Sequence, residues 1–171
     1  LYDRRTPWKT GTVPTGGLVL TAGADVQKDR IEIDVWAWGR GLESWLVDHI
    51  VIEGGPGDAG AWSELSKLLG ETWPHETGAA LQISKLAIDT GYETPTVYSW
   101  ARKAGFAQVA PVKGVEGFNR SSPVSGPTYV DSTNAGKRLR RGARLWTVAV
   151  STFKAETYRF LGLERPTNEE L

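Results

Sequence analysis

Leu18-Val-Leu-Thr-Ala-Gly-Ala-Asp25 and Leu86-Ala-Ile-Asp89 are two apolar runs of strand character, and each of them ends in an aspartate. In an open α/β sheet the carboxyl ends of parallel strands form the crevice in which ligands bind. Two carboxylates that meet there repel each other unless a cation lies between them. The pair therefore predicts a metal-dependent enzyme, with Asp25 and Asp89 as its catalytic and metal-binding residues. Alternatively, each aspartate is only a turn or helix-capping residue that follows its strand.

The composition limits the chemistry that is available. A chain of 171 residues with 40% hydrophobic content fits one domain of ordinary size. The chain has no cysteine and two histidines, which excludes disulfides and cysteine nucleophiles and leaves oxygen ligands for hard cations. We find neither an apolar run of about eighteen residues nor a signal sequence, so we expect a soluble, unsecreted protein. Because there is no methionine, even at position 1, we expect a piece of a longer protein.

The first third of the chain predicts an antiparallel meander. Residues 1–16 are polar and contain Pro7 and Pro14, so they predict a linker that leads into a domain at residues 17–171. Short connections make the first three predicted strands antiparallel neighbours, and these strands lie at 18–25, 31–38 and 44–52.

Helices and strands alternate after the meander. Cap residues, prolines and glycines mark their ends. The predicted elements are a helix at 61–72, a strand that ends at Asp89, a helix capped by Thr94 with Gly105 just past its end, a strand at 108–113, a strand at 145–150 and a helix at 152–161 between Ser151 as cap and Gly162 as stop. Pro111 indicates that its strand has an edge position or a bulge.

This order of elements predicts a particular sheet. A right-handed crossover after the meander places the fourth strand beside the first and parallel to it. Asp25 and Asp89 then meet at the carboxyl ends of neighbouring strands. The predicted fold is a ribonuclease H-like α/β domain, with a mixed five-stranded sheet (antiparallel meander, then parallel strands) flanked by helices.

Positive charge is concentrated in one segment. The whole chain has a formal net charge of zero, but residues 113–144 contain seven basic residues against Glu116 and Asp131. We expect this segment to be a long loop or a two-stranded excursion that contacts DNA phosphates, although a solvated surface loop has the same composition. The candidate DNA-binding residues here and in the last helix are Lys113, Lys137, Arg138, Arg140, Arg141 and Lys154.

Several longer stretches resemble the nuclease domain of the large terminase subunit of lambda-type tailed phages. The resemblance covers about residues 18–161 and includes Asp25-Val-Gln27 and Ile88-Asp-Thr-Gly91. The matching text is Leu20-Thr-Ala-Gly-Ala-Asp-Val-Gln-Lys-Asp-Arg30, Val35-Trp-Ala-Trp-Gly39, Glu43-Ser-Trp-Leu-Val-Asp48, Ala87-Ile-Asp-Thr-Gly91, Pro95-Thr-Val-Tyr98 and Pro111-Val-Lys-Gly114. It implies an enzyme that cuts concatemeric double-stranded DNA during packaging, in the cytoplasm of the infected bacterial host.

The resemblance also implies cofactors and partners. It matches Asp25 and Asp89 to the family's metal-binding carboxylates, which implies two Mg²⁺ or Mn²⁺ ions. The implied partners are an ATPase domain of the same subunit, the small terminase subunit and the portal. Two other classes of function stay open from the residues alone. One is a resolvase-like or transposase-like nuclease of the same fold, and the other is a non-catalytic module that grips or docks DNA.

Two departures from the family concern a third metal ligand. Ser151 stands in Ala149-Val-Ser-Thr-Phe-Lys154 where relatives often have aspartate, and we expect Ser151 to serve as a helix cap. The family's later acidic residue would lie beyond Leu171, so we expect the third ligand outside this chain. If it lies within the chain, the candidates are Glu156, Asp131 and Glu93.

Overall fold

A computed structural model describes residues 9–119, 122–134 and 136–164. Seven strands form one mixed sheet in the order β3-β2-β1-β6-β7-β9-β8, and β4 and β5 form a separate short ribbon. The elements in chain order are β1 (Val19–Val26), β2 (Arg30–Trp38), β3 (Ser44–Glu53), α1 (Ala59–Leu68), β4 (Trp73–Pro74), β5 (Ala80–Leu81), β6 (Ile83–Asp89), α2 (Thr94–Ala104), β7 (Val109–Val115), β8 (Val124–Asn134), β9 (Lys137–Ala149) and α3 (Val150–Gly162).

The antiparallel meander and the crossover are confirmed. Strands β1, β2 and β3 pair antiparallel, whereas β6 runs parallel to both β1 and β7. Strand β2 shows why the meander forms, because Ile31, Ile33 and Val35 alternate with polar residues and are fully buried. A period of two places all of these apolar side chains on one face of the sheet.

One face of the sheet is covered by α1 and α2. Trp62 and Leu65 of α1 and Val97 and Trp100 of α2 belong to a single core cluster with the buried residues of β1, β2 and β6. The Trp62 and Trp100 rings lie 5.5 Å apart. The indole N–H of Trp100 donates to Ser66 Oγ at 2.9 Å. The two helices therefore form one layer over this face.

The fold class is confirmed, but the predicted count of five strands was wrong. The basic segment does not stay outside the sheet. It forms the long hairpin of β8 and β9, and β9 pairs parallel with β7 from Val112↔Trp146 to Val115↔Ala149. The prediction of a two-stranded excursion is correct in this respect.

Pro111 does not mark an edge strand, because β7 lies between β6 and β9. Its missing N–H is tolerated because the ladder with β9 begins only at Val112, one residue later. On the other side Pro111 is opposite Ile88 in the ladder with β6. The strand is therefore interior, and the proline lies just before the point where pairing with β9 begins.

Three predicted helix starts differ from the structure. Helix α1 begins at Ala59, earlier than predicted, because the Asp58 carboxylate accepts a hydrogen bond from the Gly60 N–H at 2.7 Å. Glu93 occupies the cap position of α2, and Thr94 is the first helical residue. The predicted cap Ser151 is wrong as well, because α3 begins at Val150 after Ala149 and Ser151 lies inside the helix. Gly105 ends α2 at a φ of 100°, as predicted.

The described part of the predicted linker packs on the domain. Val13 is fully buried in the core cluster. Its N–H donates to the Pro74 carbonyl at 2.9 Å, and Gly11 N–H donates to the Val47 carbonyl at 2.8 Å. Through Val13 the stretch 9–16 therefore contributes to the domain core, which begins before residue 17. The remainder of the predicted linker, residues 1–8, and the last predicted residues, 165–171, lie outside the described residues.

Candidate metal centre

Asp25 and Asp89 lie next to each other at the ends of two paired strands. The parallel ladder of β1 and β6 pairs Ala24 with Ile88, and each aspartate is the following residue. Ala24 and Ile88 both point into the core. Because side chains alternate along a strand, Asp25 and Asp89 both point to the opposite face. Neighbouring strands are about 4.8 Å apart, so the two carboxylates lie side by side, as predicted from their strand-end positions.

The end of β6 is held by hydrogen bonds that fix Asp89. Thr90 is buried, and both its N–H and its hydroxyl donate to the Val112 carbonyl, at 3.0 and 2.9 Å. The Gly91 N–H donates to Asp89 Oδ2 at 3.0 Å. A Cβ atom at Gly91 would lie 2.8 Å from that oxygen. Only glycine therefore leaves the carboxylate in this position.

Tyr98 on α2 supports the same corner from the covered side. Burial raises the pKa of Tyr98, and a side-chain hydrogen bond with Thr90 opposes that rise. The Thr94 hydroxyl also donates to the Thr90 carbonyl at 2.7 Å. The turn after β6 is thus tied both to β7 and to α2.

Asp25 is held by the turn that follows β1. The side-chain amide of Gln27 donates to Asp25 Oδ2 at 3.1 Å, and the Gln27 N–H donates to the Arg30 carbonyl at 2.9 Å. Each aspartate therefore has one oxygen bound by its own turn. We find no hydrogen bond to Oδ1 of either aspartate among the described residues. These two oxygens are the acceptors that a hard cation would take.

A third carboxylate lies beside the pair but is engaged elsewhere. Glu32 on β2 is directly opposite Asp25 and shares its face. Its Oε1, however, accepts from Arg30 Nε at 2.6 Å, and this ion pair raises the pKa of Arg30. Within the described ranges no group of three histidine, aspartate or glutamate side chains is arranged to hold a metal ion.

The other candidates for the third ligand have different surroundings. Asp131 accepts from the Arg141 N–H at 3.0 Å and from Arg138 at 2.6 Å, and these bonds lower the pKa of Asp131. Glu93 is the residue before α2 and has a φ of 46°, and Glu156 is exposed on α3. The Ser151 hydroxyl accepts from the Gly117 N–H at 3.0 Å, which links α3 to the loop after β7.

The predicted DNA-binding residues do not form one cluster. Lys137, Arg138, Arg140 and Arg141 belong to the hairpin, and Lys154 is exposed on α3. Lys113 follows Val112, the residue that pairs with Asp89, so it points to the opposite face. Arg120, which belongs to the basic segment, lies outside the described residues. Contact of any of these residues with DNA stays a prediction.

Sequence reasoning missed the supporting residues of the site. Gln27, Thr90 and Gly91 belong to the stretches that resemble the family, but no role was predicted for them. A signal was available, because each lies one or two residues after its aspartate, where side chains and backbone N–H groups of a tight turn reach back to the carboxylate. Glu32 also had no predicted role, and it is half-buried directly opposite Asp25.

Fold and site together define a class: a ribonuclease H-like domain with paired carboxylates at the ends of its two central parallel strands. The family model for the endonuclease domain of terminase large subunit gpA matches residues 1–170. The chain belongs to this family.

Two curated relatives of the chain are phage terminases. The chain is 34% identical over 160 residues to the terminase large subunit of Escherichia phage lambda, which covers 93% of the chain and 24% of the relative. It is 33% identical over 150 residues to that of Enterobacteria phage P21, which covers 87% of the chain and 22% of the relative. The chain thus spans about a quarter of the length of these relatives. No solved structure matches it significantly.

No helix among the described residues is both long and apolar enough to cross a membrane.

Proposed function

We propose that this domain is a divalent-metal-dependent endonuclease that hydrolyses phosphodiester bonds of concatemeric double-stranded DNA for a phage packaging terminase. The observation that carries the proposal is the placement of Asp25 and Asp89 side by side on one sheet face. Membership of the terminase endonuclease family supports the reaction class over a resolvase or transposase of the same fold.

The side chains fit a pair of hard cations. Asp25 and Asp89 each present an oxygen without a donor among the described residues, and each is held by a turn through its other oxygen. Asp25 and Asp89 would hold two Mg²⁺ or Mn²⁺ ions, and the chemistry that such ions supply is activation of a water and stabilisation of the leaving oxygen. The water oxygen would form the new bond to phosphorus as the bond to the leaving sugar oxygen breaks; the water would lose a proton to solvent, and the leaving oxygen would take one from solvent.

The number of protein ligands sets the strength of metal binding. Mg²⁺ takes one or two carboxylates and completes its octahedral shell with water and phosphate oxygens. With two aspartates we expect weak metal binding in the absence of DNA and tighter binding when phosphate is present. A further carboxylate supplied from beyond Leu171 would strengthen the site. We expect Mn²⁺, which accepts less regular geometry, to support more cutting than Mg²⁺ in this chain.

The proposal also includes a wider setting for the domain. The DNA would be packaged by an ATPase domain of the same subunit, together with a small terminase subunit and the portal, in the cytoplasm of the infected bacterium. The basic residues of the β8–β9 hairpin and Lys154 would contact phosphates without reading sequence.

The test is nicking of supercoiled plasmid with Mg²⁺, Mn²⁺ or EDTA. We expect Asp25→Asn and Asp89→Asn to reduce nicking more than about a hundredfold, because metal charge stabilisation of several kcal/mol is removed and each 1.36 kcal/mol is about tenfold in rate. Asp34→Asn is the matched control, since Asp34 lies on the same face two residues from Glu32 and binds His49.

Equal nicking by the parent and either active-site variant would reject the proposal. A parent that binds DNA but does not cut it with any metal would favour the non-catalytic gripping module instead. A version of the chain extended past Leu171 would then show whether a missing ligand is the cause.

A further inference from the structure

A cavity of about 690 Å³ lies on the same sheet face as the aspartate pair. Its lining includes Ala87 of β6, which is opposite Ala110 of β7, and Phe153 of α3. Ala87 is two residues before Asp89 on the same strand, and Val112, which pairs with Asp89, also lines the cavity. The cavity therefore opens directly beside the site at which cutting is proposed.

The cavity walls combine apolar and cationic groups. Trp146, Phe106 and Phe153 contribute flat apolar surface, and Lys85 and Arg144 contribute positive charge. Lys85 is already engaged, because its ammonium donates to the Ala107 carbonyl. The Arg144 guanidinium lies 5.9 Å from the centre of the Tyr129 ring.

Arg144 is the residue that points to a ligand. Its Nε is buried and has no hydrogen-bond partner among the described residues. A buried donor without an acceptor is costly, and few such groups occur in native proteins. Because Nε itself is out of reach of a water-sized atom, an acceptor oxygen in the cavity would meet the guanidinium at its two terminal nitrogens, which carry four further N–H donors.

We infer that the cavity binds one unstacked nucleotide of the DNA strand beside the scissile phosphate. A nucleotide has the two required parts, a flat base for the aromatic walls and carbonyl or phosphate oxygens for Arg144. The volume falls within the range of roughly 300–1,000 Å³ that is usual for ligand pockets. This inference rests on the proposed function, because the nucleotide is taken from the strand held at Asp25 and Asp89.

The inference also implies that the DNA duplex is locally distorted. Bases inside a double helix cannot reach a side pocket, so the bound nucleotide must leave the stack at a cost of a few kcal/mol. Stacking on aromatic side chains offsets part of that cost and tolerates any base, because every base has a π-face. The cavity would therefore favour frayed or single-stranded DNA over intact duplex without selecting a sequence.

The test compares two short single strands, an oligothymidylate and an abasic strand of equal length, by fluorescence anisotropy in EDTA. The abasic strand has the same phosphates and lacks bases. We expect the parent to prefer the oligothymidylate about tenfold, which corresponds to roughly 1.4 kcal/mol from one base contact. Metal is omitted so that binding is measured apart from cutting.

Two variants probe the cavity by different means. Arg144→Met removes the donor and keeps an apolar stem, and Ala110→Leu fills part of the cavity without changing charge. Both should reduce the preference to near unity. Arg140→Met is the matched control, since it removes the same charge from β9 outside the cavity. It should weaken binding of the oligothymidylate and of the abasic DNA equally and keep the preference between them. Circular dichroism checks folding, and Arg144→Met alone decides if Ala110→Leu does not fold.

A parent without preference for bases, or a preference that both variants retain, would overturn the inference. So would a concentration-dependent dimer in sedimentation that Ala110→Leu abolishes, because a second copy would then occupy the cavity. Failure here is distinct from failure of the proposed function. If the parent nicks plasmid with Mn²⁺ but shows no base preference, only nucleotide binding in the cavity is rejected. If it shows base preference but no nicking with any metal, only the nuclease activity is rejected.

Discussion

The two faces of the sheet are built from alternate residues of the same strands, yet they have opposite properties. On the face covered by α1 and α2, Leu86 and Ile88 are completely buried and Ala24 is 5% exposed. On the open face of the meander, Trp38 is 41% exposed and Val51 is 43% exposed. The covered face holds the core, and the open face carries Asp25, Asp89 and the cavity beside them.

The difference shows that residues of the core and residues of the candidate site alternate along the same strands. Ala24 and Asp25 are neighbours in sequence, as are Ile88 and Asp89, and a strand period of two sends them to opposite faces. The buried member of each pair fixes the register, and register fixes where the acidic member lies. The buried residues of the covered face thus position the two aspartates of the open face.

The largest expected effect is a loss of stability when a buried side chain on the covered face is truncated. Ile88→Ala should lower the free energy of unfolding by about 2–5 kcal/mol, because truncating a fully buried side chain leaves an empty volume behind. Asp89→Ala, one residue further, should lower it by only about 1 kcal/mol, the typical contribution of the one hydrogen bond from Gly91 that is lost. Urea denaturation of both variants makes the comparison. If the two decreases are similar, the faces do not divide stability from chemistry in this way.

The next largest effect is a loss of DNA affinity when the basic β8–β9 hairpin at one edge of the sheet is neutralised. Neutralising Lys137, Arg138, Arg140 and Arg141 together should weaken DNA binding for all sequences and flatten its salt dependence. The log–log slope should fall by about 0.9 for each phosphate that is no longer neutralised. Arg138→Gln alone should contribute least, because Asp131 already holds that guanidinium at 2.6 Å.

The measurement is affinity for duplex DNA at several salt concentrations. Arg140→Gln serves as the single-variant comparison for Arg138→Gln. If the quadruple variant has the same slope of log affinity against log salt concentration as the parent, the hairpin is a solvated surface that does not contact DNA phosphates.

A smaller effect is expected where the open face depends on a glycine. Gly91→Ala should reduce nicking several-fold, because a Cβ atom 2.8 Å from Asp89 Oδ2 forces the carboxylate to turn. Gly57→Ala is the control, since a Cβ atom there meets nothing within 4 Å. Plasmid nicking and thermal unfolding are measured for both. Reduced stability with unchanged nicking in Gly91→Ala would show that the turn supports the fold and not the site.

The smallest expected effect is a pH dependence of stability that comes from the His49–Asp34 pair on the open face. His49 Nδ1 lies 2.7 Å from Asp34 Oδ1, and this hydrogen bond raises the pKa of His49 above its ordinary value of 6.5. A raised folded-state pKa gives stability that is fully present below a pH of about 6.5 and is lost as pH rises through the raised value. Because both side chains are about half exposed, we expect a few tenths of a kcal/mol.

His49→Gln should remove this dependence, as measured by urea midpoints at acidic and alkaline pH against the parent. A parent whose midpoint rises with pH across this window, and a variant that behaves the same, would exclude the His49–Asp34 pair as the cause.

Much of the fold could be predicted because it depends on local pattern. Alternating apolar residues indicated β2, and short turns indicated the meander. The right-handed crossover then placed β6 beside β1, which brought Asp25 and Asp89 together. The helix starts were less predictable, because Asp58 and Ser151 are both ordinary capping residue types and only the backbone geometry decides which of them caps a helix.

The sequence by itself determined the antiparallel meander, the two strand-end aspartates and the concentration of positive charge, because hydrophobic period and residue type express these directly. Tertiary structure alone decided the interior position of β7, the hydrogen bonds from Thr90 to the Val112 carbonyl and the cavity lined by Phe153. Each of these depends on which residues distant in the chain, or across a strand pair, come within a few ångströms of each other. Register and packing set those distances, and no local pattern in the chain records them.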